Sequence, residues 1–504
     1  MSSTMMAADV VVTRHAPGTP PAHHVYDGAS SAHRTGFCNP WDSWHKPSLR
    51  EVTESLAWGE RLGCKAPAWV SAVRSVVAGL GAKSGTTTPG DVTPPAPPLA
   101  VQKPDFAFDA ATTRARATWL GHASVLVQLA GGTRPMRILF DPLFSARCSP
   151  TQWLGPVRFF PAPCGAEAMP ALDLVVISHN HYDHLDYDSI AALWHAHAAT
   201  VHFFVPLGNK AWFLEHIAGL RAERVHELDW WDEATVVPTG GDAEGPRLRI
   251  VCTPAQHGSG RTGTDACKTL WASWMLEHAL ACGDVYRVFF GGDSGFRLQP
   301  GRGGGARTPD ARAYPACPAF EAIATRIGAP DLSMLPVSVG ATYAFLKSFD
   351  PLPDWMSPVP RLDDGVTGAI HMSAADAVAV FTLMGRAGAA ARGEKSAPRR
   401  APVCVAIHWG TFVDGPGEVV ETMCRLRAAC DAEGVHFTRG GAEEAKSAAV
   451  GSGTAHEHAA RGDAVCTSEP TFAMLDHGQS VWVGLAGGQG VGGGEVGGVE
   501  AEPA

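Results

Sequence analysis

No Cys-x-x-Cys pair occurs in the 504 residues, and the twelve cysteines are scattered without regular spacing. That pattern excludes a disulfide-stapled scaffold and fits reduced thiols in an intracellular protein. Apolar runs of the about 18 residues needed to cross a membrane are also missing. Arg74 breaks the run that starts at Ala66, and Arg386 breaks the one that starts at Ala377. A chain without a transmembrane segment, soluble or peripherally membrane-associated, is therefore expected. No basic stretch followed by an apolar block opens the sequence, so no secretory signal is expected, and the organelle is left open. Basic excess is lacking as well: 40 Lys and Arg stand against 50 Asp and Glu, a formal net charge of −10. This argues against nucleic acid as a partner.

What is present, with 45% hydrophobic residues, is enough to bury one large core or two modest ones. Residues 1–36 are rich in Ser, Thr, Pro, His and Ala without periodicity and read as a disordered arm. Residues 37–112 form a flank. It begins with the aromatic anchors of "FCNPWDSW" and ends beyond the Pro-rich linker "KSGTTTPGDVTPPAPP", Lys83–Pro98. In the main body, 113–484, "RIVCTP", "YRVFFGG" and "PVCVAIHWG" read as strands bounded by Gly or Pro. Asp188 and Ser189 open a helix with Ile190, Leu193, Trp194 and His197 on one face. Ser373-x-x-Asp376 is a capping box before Ala377, Val380, Phe381 and Met384. The alternation predicts an α/β layered fold. Insertions are expected near 301–312, 348–369 and 441–463, and 485–504 is a disordered Gly-rich tail.

The stretch "ISHNHYDHLDYDS" (177–189) follows an apolar run and holds three histidines and three aspartates. In an extended backbone His179 and His181, two residues apart, point to the same side, and Asp183 and His184 follow as the chain turns. Three later strand-like runs each end in a further donor: His257, Asp293 and His408. Strand ends at one sheet edge are where an α/β fold gathers distant residues. Five imidazoles and two carboxylates, with no thiolate, suit two ions of the zinc type. His179, His181 and His257 would hold one, Asp183, His184 and His408 the other, with Asp293 as the bridge. His371, just before the capping box, meets free helix N–H groups that favour an anion. It is read as binding phosphate or assisting the leaving group. His122 is read as a hydrogen-bonded structural histidine near the site, and Asp186 as orienting a ligating imidazole. Trp41, Trp44, Trp230, Trp231, Trp271 and Trp274 are read as core. His195 and His197 are given no catalytic part.

These motifs, with "NPWDSW", "TWLGHASVLV", "FDPLFSARCSPTQWLGP", "FVPLG", "ELDWWDEA", "TPAQHGSGRT", "LWASW", "GGDSGF", "IHWGTF" and "DHGQSVW", carry a resemblance. The chain is similar to the metallo-β-lactamase superfamily, and within it resembles the phospholipases D that hydrolyse N-acylphosphatidylethanolamine. The resemblance runs, with interruptions, from about Phe37 to Val483. It implies an αββα sandwich with two Zn2+ at one edge of the two sheets. The implied reaction releases N-acylethanolamine and phosphatidic acid from a phospholipid at a membrane surface, through a metal-bridging hydroxide, with Asp183, Asp293 and His371 as catalytic groups. Gln152 and Trp153 are pocket residues by the same likeness.

One stretch departs from the family. Where those phospholipases carry an Arg in a Gly-Ala-Tyr-Glu-Pro-Arg-Trp-like segment, this chain reads "VSVGATYAFLKSFDPLPDW", and Lys347 is the candidate to replace the charge. The Pro-, Asp- and Gly-dense segment 348–369 is expected to be a mobile loop over the mouth of the site. Other readings stay open: a hydrolase of lactones or nucleotide phosphodiesters on the same metals, or a non-catalytic metal-binding protein. A homodimer is also left open.

Overall fold

The computed structural model describes residues 8–14, 21–27, 34–45, 98–108, 114–130, 134–237, 247–280, 283–298, 314–338, 367–393, 400–413, 415–440 and 469–484. Short pieces at 48, 51, 56–57, 361–362 and 464–465 complete the description. Two large mixed sheets face each other. In spatial order the first runs Asp9–Thr13, Glu233–Val237, Leu248–Thr253, Ser273–Ala279, Val285–Phe290, Leu332–Pro336, Val403–Ile407, Thr471–Met474 and His436–Arg439. The second runs Val225–Leu228, His202–Pro206, Leu174–Val176, Met136–Phe140, Ser124–Leu129, Arg114–Gly121, Ser480–Gly484 and Ala464–Val465.

Side chains alternate across a strand, and in the second sheet that alternation divides two cores. Val125, Val127, Ile138, Phe140, Leu174, Val176 and Phe204 turn to the layer between the sheets. Leu126, Leu139, Val175, Phe203 and Val205 turn outward. There they meet helices α1 (Tyr187–His197) and α2 (Lys210–His216). Both faces being buried explains why these strands read as continuous apolar runs. Phe140 and Phe290 touch across the inner layer, their rings 4.7 Å apart. Helices α3 (Ala319–Arg326), α4 (Ala374–Ala391) and α5 (Pro416–Glu433) cover the first sheet, completing the expected αββα sandwich.

Helix α4 has the length and mean hydropathy, 1.2, of a membrane span. Its apolar residues are used inside the fold, however. Ala377, Val380, Phe381 and Met384 are buried, and an added Cβ at Gly388 would meet the Ala329 backbone at 2.2 Å.

The structure corrects the expected disordered arm over residues 1–36. Asp9–Thr13 pairs antiparallel with Glu233–Val237 at the edge of the first sheet, and His24–Tyr26 pairs with Arg34–Phe37. Composition averaged over the arm hides a three-valine run whose backbone completes a sheet edge, with Val10 and Val12 packing on the core. The linker residues 83–97, the insertions 301–312 and 441–463, and the tail 485–504 lie outside the described residues. So do 348–360 and 363–366 of the expected loop. Arg361–Leu362 within that loop pairs with Leu56–Ala57, so this part is strand.

Candidate metal centre

Every donor named from the sequence emerges at the same edge of the sandwich, each just past a strand end. His179, His181, Asp183 and His184 follow Leu174–Val176, and His257 follows Leu248–Thr253. Asp293 follows Val285–Phe290, and His408 follows Val403–Ile407. The structure brings all seven together. His179 Nε2 lies 2.8 Å from His181 Nδ1, which is 3.3 Å from His257 Nε2. Asp183 Oδ2 lies 3.6 Å from both His184 Nε2 and His408 Nε2.

Between these two groups sits Asp293. Its Oδ2 is 2.9 Å from His184 Nε2, 3.0 Å from His408 Nε2, and 3.9 Å from both His179 Nε2 and His257 Nε2. His184 Nε2, His408 Nε2 and Asp293 Oδ1 are buried without a hydrogen bond. Buried polar atoms normally have partners, so converging orphans of this donor type fit a metal ion. Metal-holding capacity thus rests on the coordinates as well as on donor chemistry.

The electrostatics agree. Burial would raise the Asp293 carboxyl, but His184 and His408 outweigh it and hold it well below the usual carboxylate range. Burial likewise opposes the His408 charge, and Asp293 with Asp183 overcomes it, raising the imidazole to about 9. His257 goes the other way, lowered to about 3 chiefly by burial.

Local backbone geometry supports the same cluster. Among the described residues five non-glycine positions have positive φ, and three of them, His122 (51°), Asp141 (36°) and His408 (61°), are at this site. Such strain persists where the surroundings over-determine it, often at functional sites. Gly292 has φ of 55°, and a Cβ there would lie 2.8 Å from that of Ser178. Only glycine lets the Asp293 turn approach the His179 turn so closely.

His122 lies at the cluster, its donor atom grouped with those of Asp183, His184 and His408. Its Nε2 is 3.0 Å from Asp183 Oδ2, and its backbone N–H donates to Thr411 Oγ1 at 2.6 Å, so it orients Asp183. His371 joins the cluster, with Nδ1 3.8 Å from Asp293 Oδ2 and its ring 5.0 Å from that of His257. Ser373 accepts from the Asp376 N–H, as the capping box requires. The buried tryptophans, Trp230, Trp271 and Trp274, are core.

Asp186 is corrected. It accepts from Ser189 N–H, Ser189 Oγ and Ser145 Oγ, capping α1 rather than touching an imidazole. The orienting carboxylate is Asp141, which was given no role above. Its Oδ2 is 2.7 Å from His184 Nδ1 and accepts from Ser178 Oγ at 2.5 Å, while Ser178 Oγ lies 2.9 Å from His179 Nδ1. One residue thereby aims an imidazole of each group. Asn39 was also missed. Its side chain donates to the His257 carbonyl at 2.7 Å and accepts from the His257 N–H at 3.2 Å.

Gln152 and Trp153 are not drawn into the cluster. Gln152 exchanges two hydrogen bonds with the Arg147 backbone, and Trp153 is 77% exposed. Lys347 lies outside the described residues.

Comparison with known proteins agrees with this geometry. Residues 136–392 match the beta-lactamase superfamily domain. An uncharacterized protein of Mycobacterium tuberculosis is 32% identical over 343 residues, covering 68% of this chain and 70% of that protein. An N-acyl-phosphatidylethanolamine-hydrolyzing phospholipase D of Caenorhabditis elegans is 30% identical over 319 residues, covering 63% and 70%. The mitochondrial N-acyl-phosphatidylethanolamine-hydrolyzing phospholipase D of Saccharomyces cerevisiae is 34% identical over 179 residues, covering 36% and 34%. With its donors gathered at one edge of an αββα sandwich, the chain belongs to the metallo-β-lactamase superfamily of metal-dependent hydrolases and resembles its N-acylphosphatidylethanolamine-hydrolysing phospholipases D.

Proposed function

We propose that the chain hydrolyses N-acylphosphatidylethanolamine to phosphatidic acid and an N-acylethanolamine, as a phosphodiesterase of phospholipase D type. The observation that carries the reading is the single Asp293 oxygen faced by imidazoles of both donor groups. This arrangement suits two Zn2+, one on His179, His181 and His257, the other on Asp183, His184 and His408. When bound, such a pair supplies Lewis acidity toward a phosphoryl oxygen and a water made nucleophilic near neutral pH. The likeness to phospholipases of two organisms supports the choice of lipid.

The chain's own residues do the positioning. Asp293 holds the two halves of the centre at a common point, and His122 fixes Asp183. His371 is buried, and burial pulls its pKa well below the ordinary value. It is therefore neutral at pH 7, suited to donating a hydrogen bond to a phosphoryl or departing oxygen rather than a full proton. In the balanced reaction water oxygen joins phosphorus and the bond from phosphorus to the ethanolamine oxygen breaks. That oxygen leaves carrying a proton from the water. Hydrolysis in 18O-labelled water should place the label in phosphatidic acid with unlabelled N-acylethanolamine. Free fatty acid or diacylglycerol as the first product would exclude the reading.

A lipid at a bilayer needs a docking surface. The loop that follows Cys148 exposes Trp153 (77%), Leu154 and Val157 (both 49%) and Phe159 (45%). Large apolar side chains grouped on a surface suit the headgroup boundary, where Trp is favoured. The loop is tied to the centre, because Phe159 N–H donates to the carbonyl of Thr411, whose hydroxyl accepts from the His122 N–H. Trp153→Glu with Leu154→Glu should weaken binding to phosphatidylcholine vesicles about a hundredfold or more, since burying two such side chains is worth roughly 1.5–3 kcal/mol each. Turnover of detergent-dispersed substrate should change far less. Equal losses in both formats would reject the docking role.

A further inference from the structure

Outside the hydrolase centre, the described residues contain one more group with the same signature. His23 and His24 converge on Asp229, with His23 Nε2 2.8 Å from Oδ1 and His24 Nε2 2.8 Å from Oδ2. Both imidazoles are more than nine-tenths buried. The three donor atoms lie within 4.8 Å of one another. We propose that His23, His24 and Asp229 bind a third divalent ion of the zinc class, and that this ion staples the N-terminal segment to the hydrolase domain.

His23 Nε2 is within hydrogen-bond distance of Asp229 Oδ1, and two further observations point to an ion. The first is that His24 Nε2 is buried without an acceptable hydrogen bond even though a carboxylate oxygen is 2.8 Å away. His184 Nε2 and His408 Nε2 stand in the same relation to Asp293, at 2.9 and 3.0 Å and also without a hydrogen bond. A nitrogen close to an oxygen but misdirected for a bond is what ligands show when their lone pairs aim at a common third point. The second observation is the ring arrangement. His23 and His24 have centroids 4.5 Å apart at 76°, against 4.5 Å and 84° for His179 and His181.

The surroundings supply what a ligating imidazole needs. His24 Nδ1 lies 3.1 Å from the Tyr26 hydroxyl, so its ring proton can sit there and leave Nε2 free to ligate. Asp229 Oδ1 also accepts from the Trp230 N–H at 2.8 Å, and the His23 ring stacks on Trp230 with centroids 4.1 Å apart. Two imidazoles and a carboxylate, with water as a fourth ligand, suit tetrahedral zinc.

The staple has a mechanical consequence. The His23 carbonyl accepts from the Cys38 N–H, and the next residue, Asn39, clamps the backbone of His257. Ion binding at Asp229 would thus hold in place the segment that braces a ligand of the hydrolase centre.

The test uses the full chain, loaded with zinc and freed of excess by gel filtration. Native mass spectrometry should count about three ions in the wild type and about two in His23→Asn/His24→Asn. Two ions in the wild type would overturn the proposal. A measurement independent of any variant is anomalous scattering at the zinc edge from wild-type crystals. A peak about 2.0–2.1 Å from both Nε2 atoms is expected, whereas peaks beside Asp293 with none beside Asp229 would also overturn it.

Discussion

Asp293→Asn should lower kcat/KM by about 10³-fold, with bound metal falling well below two ions per chain. The magnitude follows from removing one partner of a buried charge cluster, which costs about 3–5 kcal/mol, each 1.36 kcal/mol being a factor of ten. Asn preserves shape but not charge, and the lost charge is the one that five imidazoles face. His195→Ala is the control. His195 lies exposed on α1, and its loss should change activity by less than about twofold, as expected of a surface substitution. Comparable losses in the two variants, or full metal content in Asp293→Asn, would defeat the assignment of Asp293 as the shared centre.

The seven donors were legible because each follows an apolar run that can only be a buried strand. A polar residue at such an end needs a reason, and an imidazole or carboxylate at four ends of one sandwich has a common one. The supporting residues lacked that signal. Asp141 also follows a strand, Met136–Phe140, but "FDP" reads equally as a turn, and nothing local says that its carboxylate reaches His184, 43 positions on. Asn39 lies 218 residues from His257, so its clamp is a product of tertiary packing alone. Asp186 was misread for the opposite reason. Its nearness in sequence to the histidines suggested the metal, while local geometry made it the cap of α1. The N-terminal strand escaped because edge pairing uses backbone groups, which carry no side-chain code.

Removing the two ions of the centre should lower the melting temperature by roughly 15–30 °C, and the gap should widen between pH 6.5 and 9. Ligand at a thousand times its Kd stabilises by about 4 kcal/mol per site, and each kcal/mol moves the transition of a larger domain by about 2–4 °C. The pH dependence follows from the folded, metal-free chain. Burial there works against charge on His184 and His408, but Asp293 outweighs it, raising His408 to about 9 and His184 well above 6.5. A folded pKa above the unfolded one gives stability that is complete below about pH 6.5 and is lost as pH rises through the folded value. The metal-free chain therefore weakens across this window. The loaded chain does the reverse, because ions need unprotonated imidazoles and proton competition fades as pH rises. His122, His257 and His371, all lowered chiefly by burial, titrate below the window and leave it unaffected. Buried thiols such as Cys252 and Cys404, raised well above 9 by burial, act alike on both forms and cancel in the difference. Calorimetry of zinc-loaded and chelated protein at pH 6.5, 7.5 and 8.5 measures this directly. A gap that narrows with pH, or does not exist, would mean that His184 and His408 do not share Asp293 with a bound ion.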